Sequence, residues 1–227
     1  MNVFDILGPV MIGPSSSHTA GAARIGRGNP VTSVGRITLA LWGAPAVKAD
    51  IFLHGSFAKT YKGHGTDKAL IAGIMGMATD DSRIRRAPEL AREQGLEVSI
   101  TTGEIDGAHP NTARVTLTDV TGNTVSLLGS SIGGNILVKE VNGMEVSITG
   151  QHTTLIVLHR DAPGTIAAVT EVMADAGVNI CNFRLSRQSR GGEAVMTIEI
   201  DGSFGPELNE KIKVLPNIFS STMLQPI

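Results

Sequence analysis

The chain has 227 residues, of which 41% are hydrophobic and 18% charged, enough to bury one large core or two small ones and too apolar for a disordered chain. With 19 basic residues against 21 acidic ones, the formal net charge of -2 excludes a broad electrostatic grip on nucleic acid. No apolar run approaches the ~20 residues that cross a bilayer, the opening MNVFDILGPVMIGPSSSHTA lacks the basic region of a secretory signal, and the single cysteine, Cys181, excludes an intrachain disulfide or a multi-cysteine metal site built by this chain alone.

The first half is rich in Gly, Ser and Thr. It begins with the polar loop GPSSSHTAG, followed by a small, helix-compatible stretch from Thr19 to Arg27 that Ser15, Ser16 or Ser17 could cap and that Gly28-Asn29-Pro30 should break. From Val47 to Leu53, Val47, Ala49, Ile51 and Leu53 alternate with Lys48, Asp50 and Phe52, a strand pattern that runs into the segment HGSFAKTYKGHG, read as a loop. In TDKALIAGIMGMAT, Leu70, Ile71, Ile74, Met75 and Ala78 make a helical stripe. Ser82 to Gln94 reads as a further helix stopped by Gly95, and Leu96, Val98 and Ile100 alternate as a strand. Thr121-Gly122-Asn123 and Asn142-Gly143 are hairpin turn signals. This half therefore reads as helices on a mixed, mostly antiparallel sheet, ending at a boundary near residues 148–152.

The second half gives six elements. TTLIVLHR is a strand; GTIAAVTEVMADAG is a helix with Ile166, Val169, Val172, Met173 and Ala176 on one stripe; NICNFRLSRQS and EAVMTIEID are strands joined across Arg190-Gly191-Gly192; PELNEKIKVLP is a short helix and NIFSSTMLQP a last strand. The order β-α-β-β-α-β is the ferredoxin-like arrangement. The fold class is α+β in two domains, 1–150 and 153–227.

Four polar segments in the first half exceed what packing requires. In Ser15-Ser16-Ser17-His18-Thr19, three hydroxyls and an imidazole precede a helix start, whose free N–H groups suit a carboxylate or phosphate; an over-capped helix explains the pattern too. A Ser-His hydrolase is a weaker reading, because Ser17 and His18 are adjacent and no third group is evident. His54, Ser56 and His64, with Lys59 and Lys62, flank the second segment, which otherwise is a solvated loop. His109-Pro110-Asn111-Thr112, with Arg114 after it, could donate to a polar substrate or merely form a turn. Ser130-Ser131-Ile132-Gly133-Gly134-Asn135 is a candidate backbone nest or a glycine-rich bend. The histidines lack metal-ligand spacing, and no Walker or dinucleotide fingerprint is present.

GPSSSHTAGAARIGR, HGSFAKTYKGHGTD, HPNT and SIGG together closely resemble the β chain of bacterial iron–sulfur-dependent L-serine dehydratase, and the second half, with Asp161-Ala162-Pro163-Gly164 after its first strand, resembles an ACT domain. The resemblance covers nearly the whole chain. It implies an allosteric-substrate-binding-like β domain followed by an ACT domain. It also implies a heterodimer in which an α chain holds a 4Fe–4S cluster, and a lyase that converts L-serine to pyruvate and ammonia in amino-acid catabolism and gluconeogenesis. This chain would then be silent without its partner and would hold no metal itself. The resemblance further implies that iron acts as Lewis acid on serine while a base removes the α-proton. The candidates for catalysis are Ser15, Ser16, Ser17, His18, His54 and His64; those for substrate binding are Thr19, Ser56, His109, Asn111 and Thr112. Asp161, Gly164 and Asn179 would line an ACT effector site, in a module that commonly associates side by side into homo- or hetero-oligomers.

Two departures stand out. Residues 28–36 interrupt the family pattern, with Val34-Gly35-Arg36 echoing Ile25-Gly26-Arg27, and Asn135 replaces a third glycine. The expected setting is reducing and cytoplasmic, with neither membrane nor nucleic acid as partner. The rival reading is a non-catalytic amino-acid sensor, which need not keep the GPSSSHT and HGSFAKT segments.

Overall fold

The computed structural model describes residues 46–77, 81–132 and 135–226. Ser15, Ser16, Ser17, His18, Thr19, the helix expected from Thr19, the 28–36 segment and the Gly133-Gly134 pair lie outside the described residues.

Ten strands form two sheets among the described residues. The first sheet has the order β2-β1-β3-β4-β5-β6. Its strands are β1 (Ala46–His54), β2 (Glu97–Gly103), β3 (Thr112–Asp119), β4 (Thr124–Ile132), β5 (Asn135–Val141) and β6 (Met144–Ile148). β1 and β2 run parallel and all other neighbours antiparallel. A parallel pair needs a long crossover, and here it is supplied by α1 (Gly55–His64), α2 (Thr66–Ile74), a 3-10 turn (Ser82–Arg86) and α3 (Ala87–Glu93).

Alternation decides which face of β1 is covered. Ala49, Ile51 and Leu53 are buried at no more than 1% exposure, while Lys48, Asp50 and Phe52 take the other face half-buried. α2 is buried on most sides, from Ala69 through Ile74, because it lies within the helical layer against α1, α3 and the 3-10 turn. Asn142 and Gly143, with φ of 51° and 73°, make the β5–β6 hairpin.

The second sheet, in the order β10-β7-β9-β8, is built from β7 (Thr153–Arg160), β8 (Ile180–Arg187), β9 (Glu193–Ile200) and β10 (Ile218–Leu224), with α4 (Thr165–Asp175) and α5 (Pro206–Lys213). This is the β-α-β-β-α-β order expected from the sequence. One face packs on the helices: Leu155, Val157, Met196, Ile198 and Ile200 join Val169, Met173, Leu208 and Ile212. Of the stripe read along α4, Val169 and Met173 are fully buried, but Ile166 is 40% exposed. On β7 and β9 the opposite face carries Ile156, Leu158 and Val195, which with Leu224 belong to one continuous core with the first sheet, including Val141, Met144 and Val146.

Two sequence readings change. The segment after β1 is a regular helix, α1, not a loop. Phe57 and Tyr61, four apart, face the core, and Gly65 at φ 70° caps its end. The glycines at 55, 63 and 65 obscured this; Gly55 opens the helix, Gly65 caps it, and Gly63 falls in its last turn. The helix read over 82–94 is instead a 3-10 turn followed by α3, with Pro88 in the first turn of α3.

Candidate active site

Strand direction gathers three loops at one end of the first sheet. β1 and β2 both end there, β3 begins there, and β4 ends where β5 begins. The carboxyl ends of parallel strands are where open sheets bind ligands.

His54 is the last residue of β1 and stands opposite Gly103, the last of β2. It is 7% exposed. Its Nδ1 lies 3.0 Å from the Ile105 amide and 3.0 Å from Glu104 Oε2. One nitrogen cannot both accept from an amide and donate to a carboxylate. The Ile105 amide is fixed by the backbone, whereas the Glu104 side chain is 77% exposed. Nδ1 is therefore the acceptor, and the proton sits on Nε2.

Gly55 follows at φ 59°, a left-handed conformation. A Cβ there would lie 2.6 Å from the Pro110 carbonyl oxygen and 2.8 Å from its Cα. Only glycine allows this approach. It lets the first amides of α1 find a partner: Ser56 N–H donates to the Pro110 carbonyl at 2.7 Å and Phe57 N–H reaches the same oxygen at 3.4 Å. Ser56, half-buried, is thereby held two residues from His54.

The 109–111 turn is itself fixed from three sides. His109 Nδ1 accepts from the Asn111 amide at 3.1 Å, and the Asn111 carbonyl accepts from the Ser131 amide at 2.9 Å. Thr112 Oγ donates to the His109 carbonyl at 2.5 Å and lies 2.7 Å from Ser130 Oγ. Thr112 and Ser130 are 1% and 2% exposed.

The structure thus brings together His54, Ser56, His109, Asn111 and Thr112. It adds Glu104 and Ile105, which sequence reasoning did not single out, and it gives a role to Gly55 and Pro110, which stood in the named segments without one; the glycine directly after a strand was the available signal for the close approach. His64 is not in this group. It ends α1, roughly 14 Å along the axis from Gly55 at 1.5 Å per residue. Arg114 is engaged elsewhere, paired with Glu140 at 3.1 Å on the outer face of the sheet.

In the second sheet, Asp161 follows β7 and accepts from the Gly191 amide at 3.0 Å and from Arg187 at 2.7 Å. The Gly191 N–H, with the Arg187 guanidinium beside it, holds this carboxyl below the usual range. Gly164 precedes α4 at φ 87°. Asn179 instead precedes β8, whose Ile180 is level with Thr153 at the start of β7, since both pair with Ile200. At about 3.3 Å per residue, Asn179 lies about 30 Å along the sheet from Asp161. It donates to Asp201 Oδ2 at 2.5 Å.

Among the described residues no group of three or more His, Cys, Asp or Glu could hold a metal ion, and no helix is long and apolar enough to cross a membrane.

Comparison with known proteins bears on this geometry. Residues 2–106 match the family model for the serine dehydratase beta chain, and residues 153–217 that for the ACT domain. The chain is similar to the probable L-serine dehydratase beta chain of Bacillus subtilis, 42% identical over 98% of this chain and 97% of that one. It is also similar to the L-serine dehydratase beta chain of Peptoniphilus asaccharolyticus, 34% identical over 93% and 92% of the two chains. A D-3-phosphoglycerate dehydrogenase of Methanocaldococcus jannaschii is 27% identical over 82% of this chain but only 35% of its own length. With a mixed α+β sheet bearing the loop cluster, an ACT-like second sheet and full-length similarity to two such chains, this protein belongs to the family of L-serine dehydratase beta chains.

Proposed function

We propose that this chain closes the active site of an L-serine dehydratase in which an α chain holds the 4Fe–4S cluster, that the pair converts L-serine to pyruvate and ammonia, and that the chain is inactive alone. The observation that carries this reading is the convergence of His54, Ser56 and the 109–112 turn at the carboxyl ends of β1 and β2. The chain's own donors do not fit a cluster. Its one cysteine, Cys181, is exposed on β8, and such clusters usually need several thiolates. The cluster is therefore assigned to the partner, where it would supply Lewis-acid chemistry to the serine hydroxyl.

Dehydration breaks a Cα–H and a Cβ–O bond, and the resulting enamine tautomerises and hydrolyses to pyruvate and ammonia. In the tautomer fixed by the Ile105 amide, His54 presents Nε2–H, a donor. It is suited to donate a hydrogen bond to the serine carboxylate or to the departing hydroxyl, and not to begin as the base. His64, Ser15, Ser16, Ser17 and His18 remain the other catalytic candidates. Ser56, Thr19, His109 and Asn111 are candidates for binding the substrate's polar groups. Residues 1–150 and 153–227 act as two domains in this reading, a division supported by the change of sheet between β6 and β7.

The second domain takes an amino-acid effector near Asp161 and Gly164. Asn179 cannot reach that end within one chain. Side-by-side antiparallel pairing of two β8 edges would carry Asn179 of the partner subunit toward it. Exposed Phe183 and Leu185 on β8, at 37% and 39%, support such pairing. The proposed setting is cytoplasmic.

The test is anaerobic assembly of this chain with the cluster-loaded α chain, followed by pyruvate formation from L-serine, with each chain also assayed alone. Activity in the mixture only, lost in air, is expected. An assembled, cluster-loaded pair without activity overturns the catalytic reading and favours the amino-acid sensor.

A further inference from the structure

We infer that Thr112 and Ser130 are positioning residues of the site, a buried hydroxyl relay that sets His54 and Ser56 through the 109–111 turn. The inference rests on the reading that this end of the sheet receives the substrate.

Thr112 has one hydroxyl proton, and the 2.5 Å contact to the His109 carbonyl uses it. Ser130 must then be the donor across their 2.7 Å contact. The relay runs from Ser130 Oγ–H to Thr112 Oγ–H to the His109 carbonyl. Both hydroxyls are almost fully buried, so Thr112 is turned to the protein and not to a ligand. This alters the sequence expectation that Thr112 binds substrate directly.

What the relay holds is one residue from the point that fixes α1. The Pro110 carbonyl takes the Ser56 amide at 2.7 Å, and the Pro110 backbone packs on Gly55 with no room for a methyl group. His54 precedes Gly55 and is clamped on its other side by Ile105. A shift of the 109–111 turn therefore moves the start of α1, and with it Ser56 and the backbone of His54. The turn keeps a second, independent anchor in the Ser131 amide on the Asn111 carbonyl. Loss of the hydroxyls should loosen the turn without unfolding it. A displacement near 1 Å at a reacting centre costs up to about 100-fold in rate.

The experiment uses the complete enzyme, this chain with its α partner. Thr112→Val removes the hydroxyl at constant shape and Thr112→Ser restores it. Ser130→Ala and the double variant test the relay, and His54→Gln tests the site. Expected are a fall in kcat of about 10- to 100-fold for Thr112→Val with little change in KM, recovery to within about threefold of wild type in Thr112→Ser, and a double variant no worse than Thr112→Val. A loss in Thr112→Ser as large as or larger than that in Thr112→Val would mean that the hydroxyl is not what the site depends on and overturn the inference. So would an unchanged kcat in both Thr112→Val and Ser130→Ala while His54→Gln abolishes activity; the site reading would then survive. An unchanged kcat in His54→Gln would overturn the site reading itself. Thermal melting of each variant confirms folding. Ser130→Ala keeps the relay testable if Thr112→Val fails to fold.

Discussion

Replacing Gly55 by alanine isolates the close approach on which the site depends. Two penalties apply. A residue with a Cβ at φ 59° costs about 1–2 kcal/mol. The new methyl group would also lie 2.6 Å from the Pro110 carbonyl oxygen and 2.8 Å from its Cα. Both are backbone atoms of a turn tied down on three sides, so they cannot swing away as a side chain would, and overpacking of this kind costs about 1–3 kcal/mol. The sum is about 2–5 kcal/mol. Gly65 provides the control: its φ is 70°, yet nothing lies within 4 Å of the Cβ position, so Gly65→Ala should cost only the first penalty. At about 2–4 °C per kcal/mol for a chain of this size, Gly55→Ala should melt about 4–20 °C below wild type and Gly65→Ala about 2–8 °C below. The assay is thermal unfolding followed by far-UV circular dichroism. A Gly55→Ala melt that coincides with that of Gly65→Ala would refute the argument, because it would mean the Pro110 contact adds nothing.

Phe57, with no exposed surface, anchors α1 to the core, so Phe57→Ala should lose about 3–5 kcal/mol in urea unfolding. Asp119 has a carboxyl below the usual range: burial opposes its ionisation, but bonds from the Thr121 hydroxyl and amide and from Asn123 outweigh it. A lowered folded-state value contributes stability above the ordinary value of about pH 4, lost as pH falls through the folded value. Asp119→Asn should therefore flatten the stability–pH curve below about pH 4 and destabilise at pH 7; a curve parallel to wild type would contradict the assignment. Thr222 is 5% exposed on β10 and its Oγ1 has no hydrogen-bond partner among the described residues. Thr222→Val, of the same shape, should raise the urea midpoint by relieving a desolvation cost of about 1–3 kcal/mol; a lowered midpoint would reveal a bond to that hydroxyl.

Much of this fold was legible because its strands alternate cleanly. Val47 to Leu53 declared both the strand and its buried face, and Asn142-Gly143 declared a hairpin, since few residues accept a positive φ. The segment after His54 misled for a related reason. Its glycines read as loop, yet Gly55 and Gly65 mark the two ends of a helix, and the Phe57–Tyr61 pair inside it was the overlooked sign. At the candidate site, residue types were legible and roles were not. Thr112 resembles a substrate donor in sequence, but its partners, His109 and Ser130, lie 3 and 18 residues away, so its proton is spent inside the protein. Asn179 seemed a companion of Asp161, but strand direction sets them at opposite ends of the second sheet.

Sequence alone determined the α+β class, the β-α-β-β-α-β second half, the family resemblance and the exclusion of a cluster held by this chain's own thiols. The class and the second half follow from periodicity and turn chemistry, the exclusion from a residue count, and the resemblance from the matching motifs, all of them local or additive properties. Tertiary structure decided what meets what. The parallel pairing of β1 with β2, 49 residues apart at Asp50 and Ser99, gathers three loops at one end. The Pro110 carbonyl caps a helix that begins at Gly55, and an amide from Ile105 chooses the tautomer of His54. Such contacts join positions whose separation along the chain carries no periodic signal, and only the folded backbone brings them within hydrogen-bonding distance.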